Sequence, residues 1–165
     1  MTHVAIILTE LVAAPLQDVF RFVTAEDVLH KILFAYGPLP RVVSTSHNVG
    51  SWNVPGSIRT VHLSNNTTAR ETLTDYQVPS YFAYRTSDFT SVLKYIACEG
   101  RGQWRFSSEG RYTRVTWTYT FMAREWFLRP VLASFVFLLW RGYMRGALRA
   151  VKSQTEQQQR TTPAR

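Results

Sequence analysis

Arg59 and Glu71 are the two charged residues of this 165-residue chain whose surroundings suggest chemistry. Arg59 alternates with Val61 and Leu63, and Glu71 with Leu73, so on extended strands each shares a face with apolar neighbours. A charge on an apolar face is costly unless paired, so the two are expected to meet across adjacent strands. Such a pair can pin the sheet, or it can offer a cation and a carboxylate to a ligand carbonyl or carboxyl. Tyr84 could add a phenol to that set. His3, His30, His47 and His62 have no metal-ligand spacing, and no Cys or carboxylate pair completes a site. Gly100-x-Gly102 lacks the third glycine and the following helix of a dinucleotide loop, and no Gly-x-Ser-x-Gly nucleophile elbow occurs. Neither a metal nor a cofactor is expected. Asn65 and Asn66 open overlapping glycosylation sequons that read better as a hairpin turn.

The elements that must position these residues are led by Trp126 to Lys152, which reads as one long helix with Pro130 in its first turn. In its second half Arg141, Arg145, Arg149 and Lys152 fall on one side, while Trp140, Met144, Ala147, Leu148 and Val151 fall on the other. In its first half Leu128, Val131, Phe135 and Leu138 continue the arginine line but are apolar, so this half is expected to be covered on every side. Upstream, residues 3–12 suit a strand, 16–23 and 25–35 suit two short helices, and strands replace helices from Arg41 to Phe121. The last strand is the clearest. Thr113, Val115, Trp117, Tyr119 and Phe121 share one face, against Tyr112, Arg114, Thr116, Thr118 and Thr120 on the other. The expected fold is α+β, a seven-stranded curved antiparallel sheet that wraps the C-terminal helix, with two short helices after the first strand. Residues 87–102 read as either a loop over one end of the sheet or a continued strand.

Tyr84, Trp104, Phe106, Trp117 and Tyr119 then belong to the inner face as core and as candidate pocket wall, joined by Trp140 and Met144 from the helix. With Arg59 and Glu71 they make up the candidate ligand-binding set. Residues 1–152 are expected to form one domain and 153–165, polar and without periodicity, a disordered tail. A lone cysteine, Cys98, suits a reducing, cytoplasmic compartment. Near Leu128 to Trp140 the apolar run is about 11 residues, short of the roughly 20 that cross a bilayer. The net charge of +8 is uneven: residues 111–165 hold ten Lys/Arg against two Asp/Glu, whereas 1–110 balance at nine each. Nucleic acid is not an expected partner, because the aromatics alternate inward while the arginines lie outside. A homodimer or peripheral contact with an anionic membrane, through the apolar and basic helix, is the expected alternative role.

The chain resembles the START-like superfamily, also called SRPBCC, which includes the birch pollen allergen type and the polyketide cyclase/dehydrase type. The resemblance rests on VxAPLxDVFRFV at 12–23, PGSIRTVHL at 55–63, ARETLTDY at 69–76, GQWRF at 102–106 and TRVTWTYTF at 113–121. It implies a helix-grip fold, with a cavity between sheet and helix that binds a hydrophobic small molecule such as a lipid, sterol or polyketide. Carriage or sensing is the first expectation, and a cyclase or dehydratase in the same cavity, using Arg59, Glu71 and Tyr84, is the rival.

Overall fold

A computed structural model describes residues 2–162. The chain starts with β1 (His3–Val12), whose side chains alternate between core and solvent; α1 (Leu16–Val23) and a single turn, α2 (Leu29–Ile32), follow. Six strands come next: β2 (Val42–Val49), β3 (Ile58–Leu63), β4 (Thr68–Gln77), β5 (Tyr81–Ser87), β6 (Ala97–Glu109) and β7 (Tyr112–Ala123). They form one antiparallel sheet in the order β1-β7-β6-β5-β4-β3-β2, so β1 closes beside the last strand and every other neighbour is a hairpin. The register pairs Arg59 with Glu71 and Trp104 with Trp117. Strand β7 alternates without a fault, with Thr113, Val115, Trp117, Tyr119 and Phe121 all buried. The curved antiparallel sheet and long helix expected from the residue pattern are both present.

Residues 87–102 combine the two readings offered for them. A short 3₁₀ turn, Val92–Tyr95, crosses one end of the sheet, and β6 then begins at Ala97. Of the expected second helix only Leu29–Ile32 forms, closed by the 34–40 loop with Gly37, Pro38 and Pro40.

The C-terminal rod begins with a 3₁₀ turn at Trp126–Leu128 and continues through α3 (Arg129–Phe135), a π-helical turn at Val136–Trp140 and α4 (Arg141–Thr161). Three expectations for it need correction. First, the apolar half is not covered on every side: Leu132 and Val136 are buried, but Trp126, Phe127, Val131, Phe137 and Leu138 stay exposed. One sheet covers one side of a rod, and among the described residues these side chains on its far side stay uncovered. Second, residues 153–162 are not a tail, because α4 runs to Thr161 and buries Thr155 completely. Its polar side chains are used as ties: Gln154 donates to the Lys31 carbonyl, Gln159 to Asp18 Oδ2, and Glu156 accepts from the Ala13 N–H. Residues 163–165 of the expected tail lie outside the described residues. Third, the rod Trp126–Thr161 is 36 residues long with an 18-residue window of mean hydropathy 1.2, so length and composition alone would let it cross a bilayer. In this fold the inner side of the rod, from Leu132 through Met144, Leu148 and Val151, is core against the sheet.

Candidate functional site

The inner face of the sheet is unevenly filled. At one end α1 drives Phe20 between Tyr76, Phe82 and Phe106, with ring centroids 5.4, 6.3 and 5.3 Å apart, all edge-on. Phe82, Trp104 and Phe106 stack beside it, and Trp104 stacks on Trp117 at 4.4 Å. That end is solid. At the other end the sheet and rod stand apart around a cavity of about 340 Å³, which Leu29 of α2 also borders. Its walls are Val61, Leu63 and Ala69 from β3 and β4, Tyr84, Trp117, Tyr119 and Phe121 from β5 and β7, and Phe135, Trp140 and Tyr143 from the rod. Leu33 with residues 38–40, and residues 89–93 with Ile96, contribute the rim.

The candidate residues divide accordingly. Glu71, Tyr84, Trp117, Tyr119 and Trp140 line the cavity. Arg59 and Trp104 border only a side recess of about 20 Å³, shared with Tyr84 and Trp117. Phe106 and Met144, expected on the wall, lie in packed core and touch neither space, because Phe20 fills the end where Phe106 stands and Met144 is wholly buried among core side chains. His47 and His62 reach neither space. Residue patterning missed Tyr143, which falls one turn beyond Trp140; its hydroxyl donates to the Pro40 carbonyl at 2.9 Å and ties the rod to the rim loop. Thr86 was also missed. It accepts from the Tyr119 hydroxyl at 2.9 Å, a partner its sequence neighbours could not reveal.

Arg59 and Glu71 form the expected pair. Nε of Arg59 donates to Glu71 Oε2 at 2.8 Å, Nη2 lies 2.7 Å from the same oxygen as an ion pair, and Arg59 is 2% exposed. The guanidinium lies over the buried Trp52 ring, 3.6 Å from its centroid, while Nη1 has no hydrogen-bond partner. The cation is thus held by one carboxylate and one ring, behind the cavity wall. Close backbone approach seats the tyrosines: a Cβ on Gly102 would fall 2.2 Å from the Tyr84 ring and one on Gly100 2.6 Å from the Tyr119 hydroxyl. Only glycine leaves room for those rings.

Burial pushes the Tyr84 phenol well above its ordinary value, and the nearby Glu71 carboxylate adds to the rise. Burial raises Tyr119 as well, partly opposed by its bond to Thr86, and raises Tyr143, again helped by Glu71. All three phenols keep their protons across the biological range. In the unfolded chain they ionise near pH 10, so the unfolded state releases protons the fold retains, and stability falls with rising pH. The contribution is fully present below about pH 10 and is lost above it, at about 1.4 kcal/mol per pH unit for each group. The urea midpoint is therefore expected to drop steeply between about pH 10 and 12; an unchanged midpoint there would show the tyrosines to be solvated.

A curved sheet closed by a C-terminal rod over a one-ended apolar hollow defines a helix-grip protein of the ligand-enclosing class. The chain belongs to the polyketide cyclase / dehydrase and lipid transport family, whose model matches residues 4–156. No curated protein sequence matches it significantly. Solved structures share the fold at low identity. Ginseng major latex-like protein 151 from Panax ginseng superposes with TM-score 0.69 at 11% identity, covering 94% of this chain and 99% of that one. A Thermobifida fusca protein gives 0.69 at 19%, covering 93% of each. A Thalictrum norcoclaurine synthase point mutant, in complex with a transition-state analogue, gives 0.70 at 11%, covering 95% and 96%.

Proposed function

We propose that this protein carries or senses a hydrophobic small molecule, of the lipid, sterol or polyketide kind, in the hollow between sheet and rod. The observation that supports it is the cavity itself: about 340 Å³, within the range of small-molecule sites, walled mainly by aliphatic and aromatic side chains. Three of its four charged or phenolic groups are already committed, while the Trp117 and Trp140 indole N–H groups have no partner among the described residues. Glu71 is held by Arg59, and the Tyr119 and Tyr143 hydroxyls donate to protein acceptors. Such walls favour a guest that gains by leaving water and asks for few hydrogen bonds.

Cyclase or dehydratase chemistry is the second reading, favoured by Glu71 and Tyr84 sharing one cavity wall. Carriage is preferred because the carboxylate is paired and the phenol retains its proton, so neither is free to take a proton from a substrate. Native mass spectrometry of freshly purified protein tests the proposal. One apolar molecule per chain, released on denaturation, is the expected result. Protein without a guest, which also fails to bind a neutral naphthylamine probe, would refute it.

A further inference from the structure

The mouth of the cavity is marked by wall residues that are themselves exposed: Pro38, Asn65, Thr90 and Val92. Around it the surface is apolar and basic together. On one lip Val92 is 81% exposed and Tyr95 also projects. On the other, Val131 and Leu138 stand one turn to either side of Phe135, a wall residue, and Leu138 is 73% exposed. Trp126, 76% exposed, and Phe127 begin the same rod. The lips are joined: the Arg124 N–H donates to the Ile96 carbonyl and its Nε to the Lys94 carbonyl.

The charges flanking this apolar rim are nearly all positive. Lys94, Arg124, Arg129, Arg141 and Arg145 are exposed, and among the described residues none lies within ion-pair distance of a carboxylate. Between residues 124 and 145 the single acid is Glu125. A second copy is a poor occupant for such a surface. Two-fold pairing would set these cations against their own counterparts with one glutamate per chain to offset them.

We propose that this rim docks the cavity mouth onto an anionic bilayer surface. Trp126, Phe127, Val131 and Leu138 enter the headgroup boundary, where indole and aliphatic groups leave water, and the five cations meet lipid phosphates and carboxylates. The rod then lies along the surface with its inner side still on the sheet, and a guest passes between bilayer and hollow without crossing water. The docking deepens the carrier reading through that passage alone, and it is measured without cargo.

The test is co-sedimentation of the full chain with large unilamellar vesicles of phosphatidylcholine, with or without about one-third phosphatidylglycerol. Binding to the anionic vesicles is expected to be at least tenfold tighter and to fall at least tenfold in half-molar salt. Trp126→Ser with Leu138→Ser, and separately Arg141→Glu with Arg145→Glu, should each weaken it at least tenfold while thermal unfolding stays within a few degrees. Ile7→Ser, removing another exposed apolar group, on β1, should leave binding unchanged. Equal binding to both vesicle types, or none, overturns the proposal. So does a concentration-dependent dimer by light scattering that Trp126→Ser with Leu138→Ser dissolves while vesicle binding is unaltered. Protein that docks but retains no apolar guest refutes the carrier reading and leaves the docking standing; the converse result does the opposite.

Discussion

Glu71→Ala is expected to destabilise the fold by about 3–5 kcal/mol, because it leaves the Arg59 guanidinium buried without its carboxylate. Arg59 has no route to water. It is 2% exposed, it lies over Trp52 at 3.6 Å, and its Nη1 is already unsatisfied in the intact protein. With the carboxylate gone, only the ring remains to offset a desolvated cation, and a cation–π contact, worth about 2 kcal/mol or somewhat more in such a place, falls short of compensating a buried charge. For a chain of this length the loss corresponds to a fall in Tm of roughly 10 °C. Removing both partners is a different experiment. Arg59→Met with Glu71→Leu replaces the pair by apolar groups of similar length, and its stability is expected within about 1 kcal/mol of the native protein, or above it. Urea denaturation of the two singles and the double closes the cycle. If Glu71→Ala costs less than about 1 kcal/mol, the pair is not desolvated as described.

The second large effect is on binding. Ala69 lines the hollow on β4, on the same strand face as Glu71 and Leu73. Ala69→Trp would place an indole into the 340 Å³ space that a guest needs, without cutting a cavity elsewhere. Binding of a neutral naphthylamine probe is expected to weaken at least tenfold, about 1.4 kcal/mol, with the unfolding midpoint unchanged or raised. Thr74→Trp, at an exposed position of the same strand, is the control and should bind the probe normally. Equal binding by Ala69→Trp and native protein would move the site out of the hollow and onto the exposed apolar rim.

Much of the fold was legible from short patterns. The period-two alternation from Thr113 to Phe121 named the inner face of β7 residue by residue, and the same period on β3 and β4 put Arg59 and Glu71 on one face. Their pairing followed because a lone charge among apolar neighbours is too costly to leave unmet. The candidate wall was legible in part. Tyr84, Trp117, Tyr119 and Trp140 do line the hollow, since inward rings on central strands and the facing side of the rod have nowhere else to go. Phe106 and Met144 carry the same inward signal but sit where the interior is filled.

Residue type and spacing by themselves determined which side of each element is apolar, that the strands pair in sequential hairpins, and that the last third carries the positive charge. Three things needed the assembled molecule. Phe20, far from Phe106 in sequence, closes one end of the interior, so the hollow lies at the other. One-sided cover leaves Val131 and Leu138 in solvent although their composition asks for burial. The polar run after Lys152 continues as helix because Gln154, Glu156 and Gln159 find partners on segments more than 120 residues earlier. The physical reason is common to all three. Periodicity reports the preference of one segment for water or core, whereas a void, an uncovered face or a distant hydrogen bond is a relation between segments, set by how their volumes and partners meet in space.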